Sequence, residues 1–254
     1  QEKFVANVKI RVMQPNVPQD DRFRPENKEQ ILAQYLRLSA KTSASAPNGL
    51  ADITHLIWPE SAFPFVLSRD PDSLARITRS LGKTVLVTGA ARAETIGDRA
   101  FPGEIRKVSY FNSIQVMTSA GAIVDTYDKV HLVPFGEYLP LSGLLESIGL
   151  RQFVHIPGGF EPGVMRKILT VPGLPQAFPL VCYEAIFSES LEPALRRDAG
   201  LIINVTNDGW FGPTTGPYQH LAQARLRAVE SGLPFLRVAN TGISAKIGRA
   251  SCRE

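Results

Sequence analysis

Residues 201–239 read LIINVTNDGWFGPTTGPYQHLAQARLRAVESGLPFLRVA, and this stretch determines the fold class. Its two ends, Leu201–Val205 and Phe235–Ala239, are short apolar runs of the kind that form buried strands. Between them, Tyr218–Glu230 places leucine and alanine on one helical stripe, and Gly-Leu-Pro ends the pattern. A strand, a helix and a second strand in this order predict an α/β layered domain.

The same alternation extends toward the N-terminus. Further apolar runs are predicted to be strands: Val8–Met13, Thr54–Trp58, Thr84–Thr88, Ser109–Met117, Ala122–Thr126 and Phe178–Cys182. Helical patterns lie between several of them: Asn27–Ser43, Ser73–Leu81 and Glu184–Arg196. Because no internal repeat occurs, we predict one large α/β domain.

The composition excludes several classes of protein. Of the 254 residues, 44% are hydrophobic and 20% are charged, so the chain can bury a sizeable core and is neither disordered nor fibrous. The net charge is +4 without a clustered Lys/Arg face, which argues against nucleic acid as a partner. No apolar stretch approaches the roughly 18–20 residues that span a bilayer, and the first residues show no signal-peptide pattern.

The last eight residues, IGRASCRE at positions 247–254, do not continue the pattern of the domain. They have no apolar periodicity and match one reading frame of a common sequencing adapter. We predict a domain over residues 1–246 that is truncated at its C-terminal end, followed by a non-native tail. A genuine polar tail is the alternative. On the first interpretation Cys252 is not native and Cys182 is the only native cysteine, so no disulfide framework is expected.

Motifs for common cofactors do not occur in the sequence. It contains no GxGxxG, GxxxxGK[ST] or GxSxG pattern. The histidines show no metal-ligand spacing with one another: His55, His131, His155 and His220. We therefore expect neither a metal ion nor another cofactor.

Three chemically useful residues lie at or after the ends of apolar strands. Cys182 closes FPLVC, Glu60 follows ITHLIWP, and Lys129 follows the strand Ala122–Thr126. Cysteine, glutamate and lysine supply a nucleophile, a base and a cation for a developing oxyanion without a metal. Each residue also has an ordinary interpretation: an inert core cysteine, a solvated glutamate, and a surface lysine paired with Asp128.

The position of these residues leads to two expectations. Because strand ends in layered α/β folds gather at one edge of the sheet, Glu60, Lys129 and Cys182 are expected to converge. A helix N-terminus after Cys182 and a nearby cation are each expected to lower the pKa of its thiol.

The segment Pro134–Gly163 departs from the α/β rhythm. It is long and apolar, and proline and glycine interrupt it repeatedly. Loops of this length inside compact domains are usually lids or binding loops. The alternative is a short helix, Leu141–Ile148, packed on the core.

Four stretches carry a family resemblance. They are WPES at Trp58–Ser61, YDKVHLVPFGEYLPL at Tyr127–Leu141, CYEAIFSE at Cys182–Glu189, and Asn204–Ala245 almost throughout. In order and context they resemble the nitrilase superfamily of carbon–nitrogen hydrolases, and most closely its apolipoprotein N-acyltransferase branch. The resemblance implies an αββα four-layer sandwich.

The resemblance also implies residue roles. It makes Cys182 the nucleophile, Glu60 the general base and Lys129 the oxyanion-stabilising cation. The supporting residues of the active site that it implies are Glu137, Tyr183 and Glu184. We expect the carboxylates of Glu137 and Glu184 to lie beside Glu60.

Three further residues are expected to bind substrate. Phe23 stands where the family carries a tryptophan, so stacking is retained and an indole N–H is not. Leu144 and Leu145 belong to the segment Pro134–Gly163, which we predict to be a mobile apolar lid that meets lipid. A small rigid subdomain with buried leucines is the alternative.

The implied reaction transfers a fatty acyl group from a phospholipid, through a thioester on Cys182, to the N-terminal amine of a diacylglyceryl-cysteine lipoprotein. The family's enzymes are integral proteins of the bacterial inner membrane, so the expected location is the periplasmic face of that membrane, without the membrane helices in this fragment. Two alternatives stay open: a soluble nitrilase-type amidase that hydrolyses a small C–N bond, and a catalytically silent, membrane-associated interaction domain.

Overall fold

The computed structural model describes residues 5–19, 24–96, 107–138, 159–191 and 193–248. The strands in these ranges are β1 Ile10–Val12, β2 His55–Trp58, β3 Val85–Ile96, β4 Lys107–Met117, β5 Ile123–Asp128, β6 Ala177–Val181, β7 Leu201–Thr206, β8 Phe235–Ala239 and β9 Ala245–Ile247. The α-helices are α1 Lys28–Ser39, α2 Pro71–Leu81, α3 Pro193–Asp198 and α4 Gly216–Ser231. Within the described residues, none of these helices is long and apolar enough to cross a membrane.

The strands form two sheets of mixed direction. The first has five strands in the order β1-β2-β3-β4-β5, and the second has four in the order β6-β7-β8-β9. Strands β1, β2 and β3 are parallel, as are β6, β7 and β8, whereas β4, β5 and β9 join their neighbours in antiparallel pairs. The carboxyl ends of the parallel strands therefore lie at one edge of each sheet.

The alternation of side chains along the strands builds four layers. In β2, Leu56 and Trp58 pack with the helices α1 and α2, while Ile57 faces the other way. In β7, Ile203 packs in the same cluster as Ile57, and Ile202 packs against α4. Each sheet thus has one face on the other sheet and one face on helices, which explains why its strands are apolar on both faces. The αββα sandwich is confirmed.

Most predicted elements are present, and the two largest differences concern β3 and the segment after Cys182. Strand β3 extends to Ile96, beyond the predicted Thr84–Thr88, because it pairs along its whole length with β4. The predicted helix Glu184–Arg196 is wrong. Cys182–Ile186 and Ser188–Ser190 are separate 3₁₀ turns, and only Pro193–Asp198 is α-helical.

The last strand reaches the first residue of the predicted tail. Ile247 pairs with Phe235 of β8 and is 3% exposed within the core between the second sheet and α4. Residues 249–254, which include Cys252, lie outside the described residues. The domain range 1–246 and the non-native origin of the tail stay predictions.

The interface between the sheets yields a first prediction. Ile203 is fully buried there, so Ile203→Ala is expected to lower the free energy of unfolding by about 2–4 kcal/mol through lost burial and a residual cavity. Val124 on β5 is 50% exposed, and Val124→Ala is expected to cost less than about 1 kcal/mol. Chemical denaturation measures both, and equal losses would contradict the assignment of this interface.

Candidate active site

A cavity of about 280 Å³ opens where the carboxyl ends of the two sheets meet. Glu60 follows β2, Lys129 follows β5 and Cys182 follows β6, and all three line this cavity. Its other lining residues are Ser61, Asn112, Val133, Pro134, Phe135, Gly136, Glu137, Phe160, Tyr183, Asn207, Trp210 and Phe211. The structure therefore brings together three residues that are far apart in the sequence.

Glu60 is held by a close approach between two strands. It is 5% exposed, so the interpretation as a solvated glutamate is wrong. Ser61 has φ of +42°, in the left-handed region, and the next N–H, that of Ala62, donates to the carbonyl of Gly89 at 2.8 Å. A Cβ at position 89 would lie 2.5 Å from the Cα of Glu60, so glycine is required for this approach.

Lys129 forms a buried ion pair with Glu137. The Lys129 side chain is 1% exposed, and its Nζ lies 2.7 Å from Oε2 of Glu137. The alternative pairing with Asp128 is wrong, because Asp128 binds Arg92 through both carboxylate oxygens at 2.7 and 3.0 Å. Burial opposes the charge of Lys129, but the carboxylates of Glu137 and Glu60 outweigh it and raise the pKa of the ammonium above its ordinary value.

Asn112 on β4 connects the two carboxylates of the cavity. Its side-chain amide donates to Oε1 of Glu60 at 2.8 Å and to Oε1 of Glu137 at 2.7 Å. The N–H of Val133 donates to the remaining oxygen of Glu137 at 2.8 Å. The relative position of Glu60 and Glu137 is therefore set by one amide group.

Cys182 occupies a strained backbone position. Its φ is +48°, which is rare for a residue other than glycine and costs about 1–3 kcal/mol. Burial, followed by the negative charge of Glu60, raises the pKa of its thiol to about 12, although Lys129 and a hydrogen bond with Thr206 act in the opposite direction. The expected lowering by a helix N-terminus is wrong, because only a short 3₁₀ turn begins at Cys182.

Glu184 fixes the two loops that carry Lys129 and Cys182. Its Oε1 accepts from the N–H groups of Val130 at 3.0 Å and His131 at 3.1 Å, and its Oε2 accepts from the N–H of Val181 at 2.9 Å. The expectation that this carboxylate lies beside Glu60 is wrong, because Glu184 does not line the cavity and binds backbone N–H groups instead. Glu137 is the carboxylate that lies beside Glu60.

The remaining walls of the cavity are largely apolar. Tyr183 forms part of the wall and packs edge-on against Phe187, with ring centroids 5.4 Å apart. Phe135, which is 52% exposed, and Trp210, which is 44% exposed, stand at the cavity and add aromatic surface. The cavity thus combines a few polar and charged groups with largely apolar walls.

Some predicted residues lie outside the described residues, and some residues of the site were not predicted. Phe23, Leu144, Leu145 and positions 139–158 of the proposed lid lie outside the described residues, so their roles stay predictions. Asn112 was not predicted from the sequence. An asparagine inside the predicted strand Ser109–Met117 nevertheless indicates a buried side chain that needs hydrogen-bond partners. Among the described residues, no group of three or more His, Cys, Asp or Glu side chains has the arrangement of a metal site.

This arrangement supports base-assisted nucleophilic chemistry. Because the thiol pKa is about 12, Cys182 is protonated at neutral pH, and a base must remove its proton as the sulfur attacks. Glu60 lines the same cavity and can take the proton. The charged Lys129 is available to a developing oxyanion.

Comparison with known proteins gives the family. The chain matches the family described as carbon–nitrogen hydrolase over residues 9–251. The chain belongs to the carbon–nitrogen hydrolase family. Among solved structures, it resembles a mutant of the Nesterenkonia AN1 amidase from the nitrilase superfamily, with a TM-score of 0.60, 18% identity, and coverage of 98% of this chain and 86% of the amidase. A carbon–nitrogen hydrolase from Helicobacter pylori G27 has a TM-score of 0.58 at 15% identity and covers 85% of this chain and 70% of its own.

Two relatives that are close to half identical to this chain carry the name of one branch of this family. The apolipoprotein N-acyltransferase of Rhodopseudomonas palustris is 49% identical over 96% of this chain and 45% of its own length. The apolipoprotein N-acyltransferase of Bradyrhizobium diazoefficiens is 49% identical over 96% of this chain and 44% of its own length. The resemblance to this branch is confirmed, and the chain spans less than half the length of the curated relatives it matches.

The close approach at Glu60 generates a prediction. Gly89→Ala would place a Cβ 2.6 Å from the carbonyl oxygen of Pro59, so the Glu60 backbone must move. We expect a loss of about 1–3 kcal/mol of stability, together with slower acylation of Cys182 by an activated ester. In the control Gly248→Ala, the added Cβ meets nothing within 4 Å, and the expected change is within about 0.5 kcal/mol. Equal stability and equal acylation rates in Gly89→Ala and Gly248→Ala would contradict the requirement for glycine at position 89.

The electrostatics of the thiol generate a further prediction. Since the charge of Glu60 raises the thiol pKa, Glu60→Gln is expected to lower it, and alkylation of Cys182 by iodoacetamide then begins at lower pH. In the parent protein the rate is expected to keep rising with pH toward about 12. Alkylation rates across pH measure the shift, and Glu189→Gln, at an exposed carboxylate, is the control. An unshifted profile for Glu60→Gln would contradict the coupling.

Proposed function

We propose that this chain is the catalytic domain of an apolipoprotein N-acyltransferase. The proposed reaction moves a fatty acyl group from a phospholipid, through a thioester on Cys182, to the N-terminal amine of a diacylglyceryl-cysteine lipoprotein. The observation that carries the proposal is the cavity shared by Glu60, Lys129 and Cys182 in a chain that is 49% identical to proteins of that name.

The first half-reaction acylates the cysteine. Glu60 takes the proton of the Cys182 thiol while the sulfur attacks the ester carbonyl of the phospholipid. Lys129 and the backbone N–H of Tyr183 stabilise the oxyanion of the tetrahedral intermediate. The ester C–O bond then breaks, the proton on Glu60 passes to the leaving oxygen, and a lysophospholipid departs with the acyl group left on sulfur.

The second half-reaction deacylates the cysteine. The α-amine of the lipoprotein attacks the thioester carbonyl, and Glu60 takes a proton from the amine. The C–S bond breaks, the proton returns to the sulfur, and an amide is released. Glu137 keeps Lys129 charged through both steps by remaining in contact with it at 2.7 Å.

The apolar walls agree with lipid substrates. Acyl chains need an apolar surface next to the nucleophile, and Phe135, Phe160, Trp210 and Phe211 supply one beside Cys182. In the proposed arrangement Phe23, Leu144 and Leu145 extend this surface, and the segment Pro134–Gly163 covers the thioester from water. The location that follows is the periplasmic face of the bacterial inner membrane.

The decisive experiment separates acyl transfer from amide hydrolysis. The intact protein is incubated with phospholipid micelles, and mass spectrometry follows a thioester on Cys182 and its transfer to a diacylglyceryl-cysteine peptide. We expect thioester formation, N-acylated peptide, and loss of both in Cys182→Ser. Ammonia release from short amides without acyl transfer would instead indicate an amidase, and an unreactive Cys182 would indicate a silent domain.

The ion pair supplies a more specific prediction in the same assay. Glu137→Gln removes the carboxylate that contacts Lys129, so acyl transfer is expected to fall at least about tenfold. Glu189→Gln alters a carboxylate of the same type on the surface and is expected to leave transfer unchanged. Unaltered transfer and an unaltered pH profile in Glu137→Gln would show that Glu137 does not act on the cavity.

A further inference from the structure

Three buried side chains from three different elements form a polar network behind Cys182. Asp208 follows β7, His220 lies on α4 and Arg237 lies on β8. Nη2 of Arg237 is 2.8 Å from both carboxylate oxygens of Asp208, and Nδ1 of His220 is 2.9 Å from Oδ1 of Asp208. None of these residues is more than 3% exposed.

The network is rigidly anchored. Arg237 also donates from Nη1 to Oδ1 of Asn204 at 2.9 Å and from Nε to the carbonyl of Ile243 at 3.2 Å. Burial opposes ionisation of Asp208, but the hydrogen bond with His220 and the charge of Arg237 hold its carboxyl pKa below the ordinary value. Gly242, at φ of +92°, closes on Asp208 so tightly that a Cβ there would lie 2.6 Å from the Asp208 Cβ.

The network reaches the main chain of the nucleophile through His220. Nε2 of His220 lies 3.1 Å from the backbone carbonyl oxygen of Cys182. Because a carbonyl oxygen only accepts, Nε2 is protonated and donates to the Cys182 carbonyl. The bond therefore acts on the main chain at the residue whose φ is +48°, and not on the sulfur.

We infer that His220 is a positioning residue that orients the Cys182–Tyr183 peptide for catalysis. The carbonyl of Cys182 and the N–H of Tyr183 belong to one planar trans peptide and point in opposite directions. Holding the carbonyl on the network side directs the N–H of Tyr183 to the other side, toward the cavity that Cys182 and Tyr183 line. This inference rests on the proposed function, because it takes the formation of an oxyanion at this cavity as the reaction.

The competing explanation is that the network only stabilises the fold and has no effect on the reaction. Buried ion pairs are common in folds, and removal of one member destabilises a protein whatever its function. A test must therefore compare variants that both lose the imidazole ring but differ in whether they keep the contact with the Cys182 carbonyl.

Two substitutions of His220 make this distinction in the intact protein. The amide nitrogen of glutamine reaches the position of Nε2, so His220→Gln keeps a donor for the Cys182 carbonyl. The amide nitrogen of asparagine reaches only the position of Nδ1, so His220→Asn keeps a contact with Asp208 and loses the one with the carbonyl. Both variants lose the imidazole ring.

Two reactions of Cys182 supply the readout. Acylation by p-nitrophenyl butyrate forms an oxyanion, whereas alkylation by iodoacetamide does not. We expect His220→Asn to slow acylation at least about tenfold and His220→Gln to stay within about threefold of the parent. Alkylation is expected to remain within about twofold in both variants, because no oxyanion donor takes part in it.

Equal slowing of acylation in both variants, or unchanged acylation in His220→Asn, would overturn the inference. If His220→Asn does not fold, Asp208→Asn is used instead, because it weakens the contact that holds the imidazole ring. Slower acylation with unchanged alkylation in Asp208→Asn would support the inference. Unchanged acylation would overturn it. A parent protein that is acylated by p-nitrophenyl butyrate but not by phospholipid would refute the proposed function and leave the comparison at His220 valid.

Discussion

The site depends on one requirement: an ammonium group buried between two sheets needs a carboxylate in contact with it. Moving an unpaired ammonium out of water costs several kcal/mol, and the Lys129 side chain is 1% exposed. Glu137 meets the requirement at 2.7 Å, and Asn112 holds Glu137 together with Glu60. The position of the candidate base is therefore tied to the neutralisation of the lysine.

The same cluster determines the protonation states at rest. Two carboxylates, Glu60 and Glu137, face one ammonium and keep Lys129 charged, while burial and the charge of Glu60 keep the thiol of Cys182 protonated. A resting thiolate, as in many reactive cysteines, is not populated here at neutral pH. Reactivity is instead expected when a substrate carbonyl is in place and proton removal accompanies attack, which limits side reactions of the sulfur.

The connection between the sheets is equally specific. Glu184 is fully buried and accepts hydrogen bonds from backbone N–H groups of the loop after β5 and of the end of β6. It therefore joins the element that carries Lys129 to the element that carries Cys182. A strained φ at Cys182 persists only where the surroundings determine it from several directions. Here the hydrogen bonds of Glu184 and the 3₁₀ turn Cys182–Ile186 hold the backbone of Cys182 in this conformation.

The sequence by itself determined the layered α/β class, most strands, and the set of Glu60, Lys129 and Cys182, because apolar periodicity and long motifs are local properties of the chain. The tertiary structure decided that Lys129 pairs with Glu137 and not with Asp128, that Asn112 joins two carboxylates, and that the thiol pKa is raised and not lowered. It also replaced a predicted helix after Cys182 by short 3₁₀ turns. These features depend on burial and on charges brought together from distant parts of the chain, and neither quantity exists until the two sheets have packed.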